Sequence, residues 1–279
     1  MSCDQVKDIP VRTHGLFGPV AGLYDRYRPR YPAEVLDLAE SRVPHAVDGG
    51  SLVDVGCGTG IFTRLLAGRF GRVSTIVGVE PDSRMRETAA RSSSAEGFAI
   101  DFLEGNAEAL PIPANSASLI SAAQAAHWFV RSRFYAEAER ALVDNGLLLI
   151  VQNRRRHWDS EFLSEYENHL ESIMPIYVKG TVADPKGGYS TVDYLAELRG
   201  RDGFEGATKH EWLWNDYRDR QSFEAFSLTS GVTQRAIAML GRTEVMRRLN
   251  PVLDRHADQD GILVIPYVTE AVVVSKKPT

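Results

Sequence analysis

A glycine-rich turn behind a short apolar run constrains the fold of this chain more than any other feature. The stretch is LVDVGCGTG, Leu52–Gly60, in which every second residue from Gly56 onward is glycine. The apolar run predicts a buried strand, and the glycines let the backbone turn sharply and approach a ligand closely. Such turns hold dinucleotides, nucleotide phosphates or S-adenosylmethionine, so the turn alone leaves the ligand open.

Strand and helix patterns alternate regularly around this turn. Short apolar runs predict five strands, at SLVDV, STIVGVE, FAIDFLEG, ASLISAA and NGLLLIVQN. Helix patterns before and between them cover 32–47, IFTRLLAGRF, DSRMRETAARSS and 131–142. This alternation predicts right-handed crossovers and a parallel sheet covered on both faces. Residues 32–153 are therefore predicted to form a Rossmann-like core of the α/β class.

The remaining sequence predicts two more strands and several lid segments. ATKHEWLWNDYR and ILVIPYVTEAVVVS read as strands that pair as neighbours, which predicts a doubly wound, seven-stranded, mostly parallel sheet with the last strand antiparallel. Helices are expected at about 158–174, 222–229 and 243–258. We expect an N-terminal arm and lid at 1–31, a lid or substrate insertion at 154–206, and a C-terminal part at 207–279 with a helical insertion at 218–258.

Charge and cysteine content exclude several classes of function. Lys and Arg total 32 against 37 Asp and Glu, so no basic excess points to nucleic acid. The run Arg154–Arg156 is interpreted as a solvated loop, with an anionic ligand as the alternative. Two cysteines and the lack of an apolar membrane span or export signal predict a cytoplasmic protein without disulfides or membrane association. The seven histidines show no metal-ligand spacing, so no metal is expected.

The spacing of the glycines narrows the choice of ligand. A dinucleotide fingerprint needs GxGxxG, but Ile61 stands where its third glycine would be, and no Gly-Lys-Ser/Thr follows to form a P-loop. S-adenosylmethionine remains. Asp54 is an acid in a buried strand that needs a cationic or hydrogen-bonding partner, and Glu80, 26 positions later, ends the next strand where it could accept both ribose hydroxyls. Asn106 and Ala107 follow the third strand and could meet adenine.

Four motifs in this order resemble one enzyme family. VDVGCGTG, VGVEPDSRM, GNAEALPIP and SAAQAAHWF are similar to the class I S-adenosylmethionine-dependent methyltransferases, within the branch that includes methyltransferase type 11 and trans-aconitate-like enzymes. The resemblance spans about residues 24–152. It implies cofactor contacts from Asp54, Gly56, Cys57, Gly58, Gly60, Glu80, Pro81, Met85, Asn106, Ala107 and Gln124. For Cys57 and Met85, simple packing in the core is an equal alternative to a cofactor contact. Asn106 stands at a position where the family commonly has aspartate.

The sequence constrains the acceptor-binding part of the site less than the cofactor-binding part. A base is needed only if the acceptor must lose a proton, and His127, His157 and Tyr24 are the candidate catalytic residues. His127 follows the fourth strand, where ligands of such sheets bind. Its alternative role is to shape the wall of the pocket.

Aromatic and arginine side chains suggest an acceptor chamber. The candidate substrate-binding residues are Tyr24, Arg28, Tyr31, Trp128, Phe129 and Trp158. They favour a bulky apolar or aromatic small molecule, such as a terpenoid, methylated on carbon or oxygen. The alternatives are a small carboxylic acid as acceptor, or a protein that binds the cofactor without transferring methyl. The N-terminal arm could reach a neighbouring subunit and form a homo-oligomer.

Overall fold

The protein is built on one seven-stranded sheet, seen in a computed structural model that describes residues 15–43, 50–72, 75–184 and 188–278. The sheet order is β3-β2-β1-β4-β5-β9-β8, and β6 and β7 form a separate hairpin. The strands are β1 Ser51–Val55, β2 Thr75–Val79, β3 Asp101–Leu103, β4 Ala117–Ala123, β5 Leu142–Arg155, β6 Val182–Ala183, β7 Tyr189–Ser190, β8 Phe204–Asp219 and β9 Ile262–Lys276.

The predicted Rossmann-like topology is confirmed. Strands β1 to β5 pair in parallel, and β9 pairs antiparallel with both β5 and β8. The last strand is therefore the antiparallel one, because β8 runs in the same direction as the first five. The predicted domain boundaries at 153 and 206 stay a prediction; β5 and β8 run through them.

Ten helices are described. They are α1 Ala21–Tyr27, α2 Glu34–Arg42, α3 Ile61–Phe70, α4 Ser83–Ala95, α5 Arg131–Ala141, α6 Glu161–Ile173, α7 Tyr194–Arg199, α8 Arg220–Ser227, α9 Gly231–Leu240 and α10 Arg242–His256. The predicted cap is observed, since the Asp82 carboxylate accepts the N–H groups of Arg84 and Met85 at the start of α4. No helix in the described ranges is both long and apolar enough to cross a membrane.

Several expected boundaries were wrong. The helix after Pro32 ends at Arg42, earlier than expected, and residues 44–47 lie outside the described ranges, as does the arm before residue 15. The third strand has three residues, 101–103, because only these pair with β2. Helices α7 and α9 were not predicted from the sequence. Helix α9 opens with Gly-Val-Thr, which has low helix propensity, and burial of Val232 and Ala236 in a lid core stabilises it instead.

Three apolar clusters hold these elements together. Two cover the faces of the sheet, one around Phe134 and Tyr135 and the other around Phe62 and Leu66. The third joins α6, α8, α9 and α10 to β9. The helical segments after β5 therefore have their own core, and they pack as a cap beside the end of the sheet that carries the glycine turn.

Candidate functional site

The glycine turn is fixed in a conformation that other residues rarely adopt. Gly56, Gly58 and Gly60 have φ of 65°, 58° and 77°. A Cβ on Gly56 would lie 2.7 Å from the Cβ of Ala125, so that position also lacks room for a side chain. A Cβ on Gly58 would meet only the Met85 methyl group, at 3.4 Å, and Gly58 itself lines a cavity. The turn therefore presents bare backbone to whatever the cavity holds.

The Glu80 carboxylate ties the turn to the end of β2. Its Oε2 accepts the Gly58 N–H at 3.0 Å, and its Oε1 accepts the Asp82 N–H at 3.0 Å. Burial raises the pKa of this carboxyl, while the two N–H groups oppose the rise. Each oxygen keeps a further lone pair, so the carboxylate can still accept two hydroxyl donors.

Asp54 is a buried acid held by two hydroxyl groups. Its side chain is 1% exposed, and it accepts hydrogen bonds from Thr63 Oγ1 at 2.7 Å and Ser121 Oγ at 2.8 Å. Burial raises its pKa to about 6, and the two hydroxyls only partly oppose this. Asp54 also lines the cavity. A cation bound there would complete its environment, which supports the predicted contact with an ammonium group.

The other predicted cofactor residues surround the turn. Cys57 and Met85 are buried, and burial raises the pKa of the Cys57 thiol, so it is an inert packing group as well as a part of the turn. Ala107 is buried, whereas Asn106 is exposed and its Oδ1 accepts the Glu108 N–H at 3.1 Å. The side-chain amide nitrogen of Asn106 is therefore the group that could donate a hydrogen bond to a ligand. Their cofactor roles, and that of the exposed Pro81, stay predictions.

Gln124 has a strained backbone at the end of β4. Its φ is 54°, which is uncommon for a residue other than glycine. Its backbone N–H donates to the Val151 carbonyl, and Nε2 donates to the Asn153 carbonyl at 2.7 Å. These two bonds hold the side chain against β5 at the cavity wall. Backbone strain that is maintained by the surrounding structure is typical of functional sites.

A cavity of about 200 Å³ lies behind the turn. Its walls come from the N-terminal segment, the ends of β1, β4 and β5, the β6–β7 hairpin and the start of α9. The lining brings together the predicted residues Tyr24, Arg28, Tyr31, His127, Trp128, His157 and Trp158. Phe129 lies elsewhere; it packs on Phe134 with ring centroids 5.0 Å apart, beneath Gly56. Its position makes it a support for the turn.

The roof of the cavity is aromatic. The Phe17 ring, which was not predicted, packs edge to face on Tyr24 at 5.4 Å and on Trp128 at 6.0 Å. The Arg28 guanidinium lies 4.7 Å from the centre of the Tyr24 ring. Trp158 is 59% exposed and stands at the rim. The described part of the N-terminal segment therefore lies against the cavity.

The two histidines differ in surroundings. Burial, with the nearby Arg28 and Arg131, lowers the pKa of His127 to about 3, so its imidazole is neutral at physiological pH and is a weak proton acceptor. His157 lies beside the hairpin, where a Cβ on Gly180 would be 3.2 Å from its Cε1. The low pKa therefore favours a role for His127 as a hydrogen-bonding group of the cavity wall over a role as general base.

The arginine run was wrongly interpreted as a solvated loop. Arg154 and Arg155 belong to β5, and each residue of the run has a carboxylate partner: Glu270 at 3.1 Å, Glu167 at 2.7 Å and Asp159 at 2.6 Å, in chain order. Glu167 is 2% exposed and also accepts the Tyr177 hydroxyl, at 2.5 Å. Sequence reasoning missed this pair, although a glutamate on the apolar face of α6 was a signal of a buried partner.

Comparison with known proteins agrees with this architecture. A family model for a methyltransferase domain matches residues 53–150. A Dictyostelium discoideum protein named as a methyltransferase is 33% identical over 141 residues, which are 50% of this chain and 50% of that protein, so the match spans half the length of that relative. An uncharacterized methyltransferase of Mycobacterium tuberculosis is 28% identical over 272 residues, covering 92% of this chain and 93% of the relative.

A solved structure has the same fold. A protein of Anaeromyxobacter dehalogenans named as a type II methyltransferase superposes with a TM-score of 0.60 at 19% identity, covering 90% of this chain and 98% of that one. The matches to the Mycobacterium tuberculosis relative and to the solved structure extend well beyond the residues of the family match. The shared region therefore includes the lid segments as well as the glycine turn.

Proposed function

This chain is a class I S-adenosylmethionine-dependent methyltransferase, and we propose that it transfers the methyl group to a small-molecule acceptor in the cavity behind the glycine turn. The observation that carries the proposal is the number of separate segments that wall that cavity. Its walls come from three separate segments, around Tyr24, His157 and Gly231, in addition to the strand ends. Such a chamber suits a small molecule better than a nucleic acid or a protein surface.

The residues around the turn fit the cofactor. S-adenosylmethionine supplies a methyl group on a positively charged sulfur, which a nucleophilic acceptor atom can attack in line. We propose that Asp54 meets the ammonium of its methionine part, Glu80 holds the ribose hydroxyls, and Asn106 with Ala107 meets the adenine. Gly58 leaves open space beside the turn, since a Cβ there would meet only the Met85 methyl group. The buried Asp54 carboxylate supports the ammonium contact, because its hydrogen-bond partners among the described residues, from Thr63 and Ser121, are uncharged.

The protein then contributes mainly position and exclusion of water. The aromatic roof formed by Phe17, Tyr24 and Trp128 shields the acceptor and supports an apolar or aromatic body. The low pKa of His127 favours an acceptor atom that needs no strong base. Arg28 lines the same space and would repel a carbocation, so we favour transfer to oxygen over transfer to an alkene carbon.

The test is methyl transfer from S-adenosylmethionine labelled on the methyl group into a cell extract. We expect label in a small-molecule product, lost with Glu80→Ala and retained with Glu104→Ala, an exposed carboxylate that follows β3. Label only in the nucleic acid or protein fraction would contradict the proposal. Cofactor binding without transfer to any fraction would favour a protein that does not methylate.

A further inference from the structure

We infer that the acceptor carries a carboxylate, which binds between the Arg28 guanidinium and the N-terminus of α9. This inference rests on the proposed function, since it names the acceptor class of the same cavity. It concerns the part of the cavity walled by Arg28, Ser230, Gly231 and Val232, which together are called the α9 subsite below.

Arg28 is held in place yet keeps unused donors. Its Nη2 donates to the Thr229 carbonyl at 2.8 Å, and its guanidinium stacks on Tyr24. Its Nε is buried and has no hydrogen-bond partner in the described chain. A buried guanidinium N–H without an acceptor is costly, so an acceptor supplied by a ligand would stabilise this arrangement. The stacking on Tyr24 and the hydrogen bond to the Thr229 carbonyl orient the guanidinium before a ligand binds.

Helix α9 adds a second set of donors at the same place. It has ten residues, and its N-cap residue Ser230 makes no side-chain capping bond. The N–H groups of its first turn have no acceptor within the helix, and the helix dipole favours an anion beside them. A Cβ on Gly231 would lie 3.6 Å from Phe17, which places this terminus against the aromatic roof.

The charges elsewhere in the cavity direct an anion to Arg28. Three arginines line it, and the other two, Arg154 and Arg155, already have Glu270 and Glu167 as partners. Glu167 is itself compensated by Arg155 and the Tyr177 hydroxyl. Among the described residues Arg28 has no carboxylate within ion-pair distance. A carboxylate bound at the α9 subsite would therefore interact with both the Arg28 guanidinium, which lacks an anionic partner, and the N-terminus of α9.

The test compares acids with amides of the same skeleton. Phenylacetate with phenylacetamide, and cinnamate with cinnamamide, are titrated into the protein saturated with S-adenosylhomocysteine, and binding is measured by calorimetry. We expect each acid to bind at least about tenfold more tightly than its amide, as a hydrogen bond to a charged partner implies. Arg28→Gln should abolish that ratio, Arg28→Lys should keep part of it, and Arg26→Gln, at an exposed arginine in the last turn of α1, should leave it unchanged.

Several results would overturn the inference. They are equal binding of acid and amide to the wild type, no binding of either, an equal loss of the ratio in Arg26→Gln, or an Arg28→Lys variant as impaired as Arg28→Gln. Methyl transfer from labelled cofactor is scored in parallel. Transfer to acceptors without any acid preference refutes the α9 subsite and leaves the proposed function standing. Acid preference without transfer to any acceptor refutes the proposed function and leaves the subsite standing.

Discussion

Replacing Asp54 by asparagine should make the ligand-free protein more stable while weakening its hold on the cofactor. The folded state keeps this carboxyl buried with a pKa of about 6, against 3.8 for an ordinary aspartate. Because the folded pKa is the higher one, the group favours folding below pH 4, and this contribution is lost as the pH rises through 6. Relative to a neutral side chain, it lowers the free energy of unfolding by about 1.5 kcal/mol at pH 5 and about 3 kcal/mol at pH 8.

Urea denaturation, followed by tryptophan fluorescence at pH 5 and pH 8, measures this difference. The Asp54→Asn variant should exceed the wild type in free energy of unfolding, and by about 1.4 kcal/mol more at pH 8 than at pH 5. Asparagine can still bond with Thr63 and Ser121, so the hydroxyl contacts are kept. Asp101→Asn, an exposed aspartate at the start of β3, is the matched control and should show no such pH dependence.

Cofactor binding provides the second half of the same test. If the ligand's ammonium meets Asp54, binding lowers the pKa of the carboxyl and releases about half a proton at pH 6, but almost none at pH 8. Calorimetry of S-adenosylhomocysteine in buffers of different ionisation enthalpy measures this release. Asp54→Asn should remove it. A variant that is less stable than the wild type at pH 8, or a wild type that binds at pH 6 without releasing protons, would refute the reasoning.

Three further predictions concern neighbouring residues. Gly58→Ala should reduce cofactor affinity at least about tenfold because its φ of 58° strains alanine and its N–H holds the Glu80 carboxylate, whereas Gly97→Ala, with a φ of 81° and open space around it, should cost only about 1 kcal/mol of backbone strain in thermal unfolding. His127→Gln should leave the shape of the pH–rate profile above pH 5 unchanged; a lost inflection near neutrality would contradict the pKa of about 3. Glu167→Gln should destabilise the protein by about 3 kcal/mol in urea denaturation, since it leaves Arg155 buried without its anion.

The part of the site that sequence could predict is built from local units. Asp54 and Glu80 each stand at the end of a strand next to a turn, and parallel strands end at one edge of a sheet. Their proximity follows from that rule, without knowledge of packing. The antiparallel last strand was predictable for a similar reason, because two long strand patterns were left to pair after the parallel series.

The acceptor side could not be predicted in the same way. The bond between Arg28 and the Thr229 carbonyl joins residues 201 positions apart, and nothing in either local sequence indicates the other. The partners of Arg154 and Arg155 likewise come from other elements, β9 and α6, so a run that resembled a solvated loop is a strand with paired charges. Helix α9 was missed because its stability comes from the lid core rather than from its own residues.

The 201-residue separation between Arg28 and Thr229 also bears on the order in which the enzyme matures during translation. All residues predicted to bind the cofactor lie between positions 54 and 124, whereas the α9 subsite requires a segment near the end of the chain. On the ribosome, the segment predicted to bind the methyl donor therefore emerges long before α9, which would complete the proposed subsite around Arg28. Selection among acceptors at this subsite would then begin only after α9 has been made and has docked beside Arg28.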